Sequence, residues 1–184
     1  MKLKIIAMSV LFSSVAAVSC NNQSSSSEKS ATNDTATVKT VAIKEEPVTY
    51  TVNGKNYDGF VTYDSNQAGK RPAVLVVHEW WGLNDYSKRR ARDLAGLGYS
   101  ALAIDMYGDG KNTEHPKDAM AFMQAALKDG KAASARFQAG LDLLKKQPHT
   151  DPDKIAAIGY CFGGKVVLDA ARQGVPLAGV VSFH

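Results

Sequence analysis

The sequence is short of cysteine, of net charge and of long apolar runs, and each shortage removes a class of protein. Two cysteines, Cys20 and Cys161, cannot staple a disulfide-built domain of 184 residues. No His, Cys and carboxylate grouping has metal-ligand spacing, so neither a metal nor another cofactor is expected. The longest apolar run, residues 5–18, falls short of the ~20 residues that a bilayer-spanning helix needs. The formal charge of +4 overstates the basicity of the folded part. Residues 1–44 hold five lysines against Glu28 and Asp34, which leaves 17 basic and 16 acidic side chains for everything after them. No basic field remains to bind nucleic acid.

The N-terminus has its own logic. Lys2 and Lys4 precede the apolar run, and Ser19-Cys20 closes it, which is the layout of a secretory signal. A Cys at that point resembles a bacterial lipoprotein signal, although Ala17 stands where such signals usually carry Leu. The resemblance implies that Cys20 is lipidated and becomes the mature N-terminus, with export to the periplasm or cell surface. Secretion with ordinary cleavage nearby is the alternative. Residues 21–45 are rich in Ser, Thr and Asn and read as a flexible polar linker holding a domain off a membrane surface. That domain is residues 46–184.

Within it, residues 46–63 predict a β-hairpin turning at Asn53-Gly54. The continuous apolar run 73–77 predicts a buried parallel strand ending in His78-Glu79-Trp80-Trp81-Gly82-Leu83. A helix should follow to about Leu97, capped by Asn84 or Asp85, stopped by Gly98, with Tyr86, Leu94 and Leu97 inward. The cluster Lys88, Arg89, Arg90 and Arg92 reads as its solvated face. A second buried strand, 99–106, then helices over 116–127 and 131–146, a strand over 154–160, a helix to about Arg172 and a strand over 177–183 complete the order. Strands alternating with helices mean an α/β fold, a doubly wound and mostly parallel sheet extended by the N-terminal hairpin.

The stretch Gly159-Tyr160-Cys161-Phe162-Gly163-Gly164 carries the chemistry. A β-type run meets Gly-x-Cys-x-Gly and passes straight into a helical pattern, the layout of a nucleophile elbow with Cys in place of Ser. Gly159 and Gly163 supply the small neighbours that so sharp a turn needs, and the helix N-terminus favours a thiolate or an oxyanion. A lone Cys can also be a small buried apolar residue, so the turn geometry decides.

Three stretches together resemble the dienelactone hydrolase family of α/β-hydrolases. They are Val76-Val77-His78-Glu79-Trp80-Trp81-Gly82-Leu83-Asn84, Ala103-Ile104-Asp105-Met106-Tyr107-Gly108 and the elbow. The resemblance implies a Cys nucleophile at Cys161, a thiol-activating carboxylate at Glu79, and attack on a small ester or lactone through an acyl-enzyme. Backbone N–H groups of Trp80 and Phe162 are the implied oxyanion donors. Glu79 could instead be an ion-paired strand-end carboxylate. His78 is expected to pack under the loop rather than act as a base, and Asp105 to cap its loop. His115 and His149 read as surface residues. Trp80 and Trp81 either line a pocket or cover the core.

Two departures from the family pattern matter. Where an Arg that binds the substrate carboxylate should follow the Asp-x-Tyr stretch, this chain has Gly108-Asp109-Gly110. The Asp and His that complete the family's triad lie on later strands, and His184 falls too early for that role. The expectation is therefore a domain incomplete at its C-terminus, inactive by itself and roughly 100 residues short. A non-catalytic surface lipoprotein using the fold for binding, and a hydrolase of thioesters or peptide bonds, are the rival readings.

Overall fold

Six strands form one mixed sheet in the order β1-β2-β4-β3-β5-β6. A computed structural model describes residues 40–184, so the expected signal segment, Cys20 and most of the expected linker lie outside the described residues. The elements are β1 (Ile43–Val52), β2 (Lys55–Asp64), β3 (Arg71–Val77), α1 (Asp85–Gly96), β4 (Ser100–Ile104), α2 (Pro116–Leu127), α3 (Gly130–Lys145), β5 (Thr150–Tyr160), α4 (Phe162–Arg172) and β6 (Gly179–Phe183). Strands β4, β3, β5 and β6 are parallel, and the hairpin β1–β2 joins antiparallel at the β4 edge.

The hairpin closes through Asn53 and Gly54, with φ of 51° and 75°. That left-handed pair twists the loop the way the strands twist, which fixes the register Val52 opposite Lys55. β1 begins at Ile43, three residues before the expected hairpin start, so Ile43 to Glu45 belong to the sheet rather than to the linker. Glu45 is held there by Arg92 of α1 at 2.7 Å.

Alternation along the inner strands separates two cores. Leu75 and Val77 of β3, with Leu102 and Ile104 of β4, face Phe137, Leu141 and Leu144 of α3 and Val167 of α4. Val74 and Val76, with Ala101 and Ala103, face Ala91 of α1. Helices thus cover both faces, as continuous apolar strands require. The inward side of α1 is Ser87, Ala91 and Ala95, small residues at four-residue spacing that let the helix lie close to the sheet. Leu97, expected inward, is 76% exposed because it is the C-cap, beyond the last helical turn.

β5 starts at Thr150, earlier than expected. Its register against β3 slips between Thr150 and Ile155, and the slack holds Pro152, which cannot donate to the ladder. β4 stops at Ile104 because Asp105 turns the chain. Its Oδ1 accepts from the N–H groups of Tyr107 and Gly108 and its Oδ2 from Gly110. The Asp105 carbonyl accepts from the buried Tyr50 hydroxyl at 2.7 Å, tying the hairpin to this turn. Tyr50→Phe should strand that carbonyl and lower stability by about 1–2 kcal/mol, read as a lower urea unfolding midpoint at unchanged slope.

Candidate active site

β5 runs directly into α4 with one residue between them. That residue, Cys161, has φ 51° and ψ −108°, a strained conformation for a side chain bearing a Cβ. The turn is possible only with glycine on either side. A Cβ on Gly159 would lie 2.1 Å from the Gly163 carbonyl oxygen, and one on Gly163 would lie 2.4 Å from that of Val77. The thiol of Cys161 is free and exposed. Its N–H donates to the Phe183 carbonyl at 2.9 Å, which fixes the elbow to β6 and removes that N–H as an oxyanion donor. Phe162 begins α4, so its N–H has no intrahelical partner and points from the positive end of the helix.

The loop after β3 meets this turn, since Gly163 lies against the carbonyls of both Val77 and His78. His78 is fully buried. Its Nδ1 bonds the Glu79 carbonyl, and its Nε2 accepts from the Met106 N–H at 3.1 Å. A carbonyl can only accept, so Nδ1 carries the proton and the ring is neutral. Burial depresses its pKa below the ordinary value of 6.5. Tyr107 donates its hydroxyl to the Trp80 carbonyl at 2.9 Å. Burial, and then the neighbouring Cys161, push the Tyr107 hydroxyl well above its usual range, so it stays a donor. Among the described residues, neither the Trp80 nor the Phe162 N–H has an acceptor.

Glu79 and Cys161 share an open cleft of about 680 Å³ with Tyr86, Arg90, Tyr160, Phe183 and His184. Its wall is aromatic: Tyr86 meets Tyr160 edge-on at 5.4 Å, and Tyr160 stacks on Phe183 at 4.8 Å. Arg90 lies over the Tyr86 ring and pairs with Asp93 at 3.3 Å, so this part of the basic cluster is engaged rather than simply solvated. Sequence reading missed this wall. Tyr160, adjacent to the nucleophile position, was the available signal. Trp80 packs on the main core, and its ring lies 4.8 Å from that of Trp81. Asp105 is buried and caps its loop, as expected. His115 is exposed, whereas His149 is half-buried and stacks on Tyr63. No three His, Cys, Asp or Glu side chains gather into a metal-binding group among the described residues.

A doubly wound sheet with a Gly-flanked elbow and a facing strand-end loop defines an α/β-hydrolase-like protein. The dienelactone hydrolase family model matches residues 58–184, and the chain belongs to that family. The solved structure titled m3DLH is 43% identical, with a TM-score of 0.75 over 78% of this chain and 60% of that one. A dienelactone hydrolase-like promiscuous phosphotriesterase from metagenomic libraries is 42% identical, also at 0.75, over 78% and 59%. A protein of Aquifex aeolicus provisionally named a carboxymethylenebutenolidase is 34% identical over 130 residues, 68% of this chain and 54% of its own. The chain spans about half the length of the curated relatives it matches and about three fifths of these solved structures.

The neutral, buried His78 has a consequence for stability. Below pH 6.5 the unfolded chain takes up a proton that folded His78 refuses until a lower pH, so stability falls as pH drops through this window. Urea unfolding midpoints measured from pH 7.5 to about 5 should decline, and His78→Gln should flatten the part of that slope due to this ring.

Proposed function

We propose that this domain belongs to a hydrolase of small carboxylic esters or lactones that works through an acyl-enzyme on Cys161. The observation that carries the reading is the exposed thiol, held at φ 51° on the elbow and sharing a cleft with Glu79. Glu79 takes the thiol proton as substrate enters, because a thiol is a poor nucleophile until ionised. The thiolate adds to the carbonyl carbon, and the N–H groups of Trp80 and Phe162 receive the oxyanion. Collapse expels the alkoxide, which recovers a proton from Glu79 and leaves a thioester on Cys161. Water then cleaves the thioester. The family resemblance assigns activation of that water to a His held by an Asp, on strands later than β6.

Gly108-Asp109-Gly110 after the Asp-x-Tyr stretch offers no Arg for a substrate carboxylate, which favours an ester or lactone other than dienelactone itself. The name of the metagenomic relative adds phosphotriesters to the compounds worth testing.

In the full-length protein, Cys161→Ala should lower hydrolysis of p-nitrophenyl acetate by at least ~10³-fold, and Glu79→Gln by about 10–100-fold. Intact mass should show an acyl adduct on the parent that Cys161→Ala lacks. Full activity in Cys161→Ala would exclude the mechanism. An absence of turnover and adduct with esters, lactones, thioesters and phosphotriesters alike would favour a non-catalytic binding protein.

We further infer export and lipid anchoring at Cys20, supported by the basic head, apolar run and polar linker. Cys20→Ala should move the protein from the detergent-soluble membrane fraction to the aqueous one; an unchanged distribution would refute the anchor.

A further inference from the structure

The acyl-enzyme reading needs two N–H groups, from different elements, held at a fixed spacing around one oxygen. Three aromatic rings lie directly behind them. His78 meets Tyr107 edge-on at 4.8 Å and stacks on Phe162 at 5.6 Å, and Tyr107 lies 5.4 Å from Phe162. His78 follows β3, Tyr107 follows β4, and Phe162 starts α4, so the triangle joins the three elements whose ends converge on the site.

Two of the rings also hold the Trp80 backbone. The Glu79 carbonyl and the Trp80 N–H belong to one planar trans peptide, so they point in opposite directions. His78 Nδ1–H bonds that carbonyl, which aims the Trp80 N–H away from the ring. The Tyr107 hydroxyl bonds the Trp80 carbonyl, which belongs to the next peptide. Both peptides flanking the Trp80 Cα are therefore fixed by side chains, and rotation of the donor would break one bond or the other. The Met106 N–H on His78 Nε2 fixes the imidazole in turn.

We propose that His78 and Tyr107 are positioning residues for the oxyanion site, setting the direction of the Trp80 N–H and its spacing from that of Phe162. The proposal rests on the acyl-enzyme reading above and extends it. Neither side chain touches substrate; each acts through the Trp80 backbone. Tyr107 is the cleaner probe, because Tyr107→Phe keeps the ring triangle and removes only the hydroxyl.

The test compares two reactions of the Cys161 thiol in the full-length protein. Acylation by p-nitrophenyl acetate builds negative charge on oxygen and needs the donors, whereas alkylation by iodoacetamide displaces iodide from carbon and needs only the thiolate. Deleting an oxyanion donor outright lowers rates by about 10²–10³-fold, so misaiming one should have a smaller effect. For Tyr107→Phe we expect acylation and kcat to fall ~10-fold, KM to stay within about twofold and alkylation to stay within about twofold. His78→Leu should lose ~30-fold in acylation. His78→Gln, whose amide can donate to one carbonyl and accept from one N–H, should recover most of that loss.

Acylation at the parent rate in both Tyr107→Phe and His78→Leu would overturn the proposal. A parallel fall in acylation and alkylation would overturn it too, since the effect would then lie on the thiol or the fold. Should His78→Leu fail to fold, Tyr107→Phe decides alone. An acylation burst that persists in Cys161→Ala would instead sink the underlying acyl-enzyme reading, a result distinct from either of these.

Discussion

The candidate site depends on one close approach: the first turn of α4 lies against the carboxyl end of β3. Gly163 has no room for even a methyl group beside the Val77 and His78 carbonyls. Because the contact is backbone to backbone, no rotamer change can relieve a larger residue, and the helix would have to withdraw. Withdrawal would separate Phe162 from Trp80 and open the elbow. Strain at Cys161 is tolerable because this packing over-determines the turn. The Phe183 carbonyl on one side and the Val77 and His78 carbonyls on the other hold the elbow between β6 and the end of β3.

Around that contact, buried polar groups are placed so that each satisfies a loop rather than a neighbouring side chain. Asp105 gathers three N–H groups, His78 bridges two strand ends, and the Tyr50 and Tyr107 hydroxyls end on carbonyls. Loops at the carboxyl ends of parallel strands are where ligands bind in such sheets. They are also where the ladder gives out and backbone groups lose partners. Here side chains take over from the ladder.

Much of this was legible in the sequence, for identifiable reasons. The β3 and β5 runs announce buried strands, Asn53-Gly54 a two-residue hairpin, and the glycines around Cys161 a turn that admits nothing larger. Strand ends were less legible. The early start of β5 goes with a register slip around Pro152, and that of β1 with pairing of Ile43 to Glu45 against Thr62 to Asp64, on the far strand of the hairpin. Leu97 misled because helical periodicity continues past the last hydrogen-bonded turn, whereas burial does not. The aromatic wall of Tyr86, Tyr160 and Phe183, and the ring triangle behind the loop, unite residues from distant elements. No local pattern encodes such meetings; the crossover topology creates them.

The bond from the Cys161 N–H to the Phe183 carbonyl gives β6 a role at the centre of the site. β6 is an outer strand along the order of the described sheet, and its Val181 and Phe183 side chains remain half in solvent. Its Phe183 carbonyl nevertheless accepts the N–H of the elbow residue. The backbone that carries the nucleophile is thus anchored to a strand of its own sheet as well as to the helix that follows it.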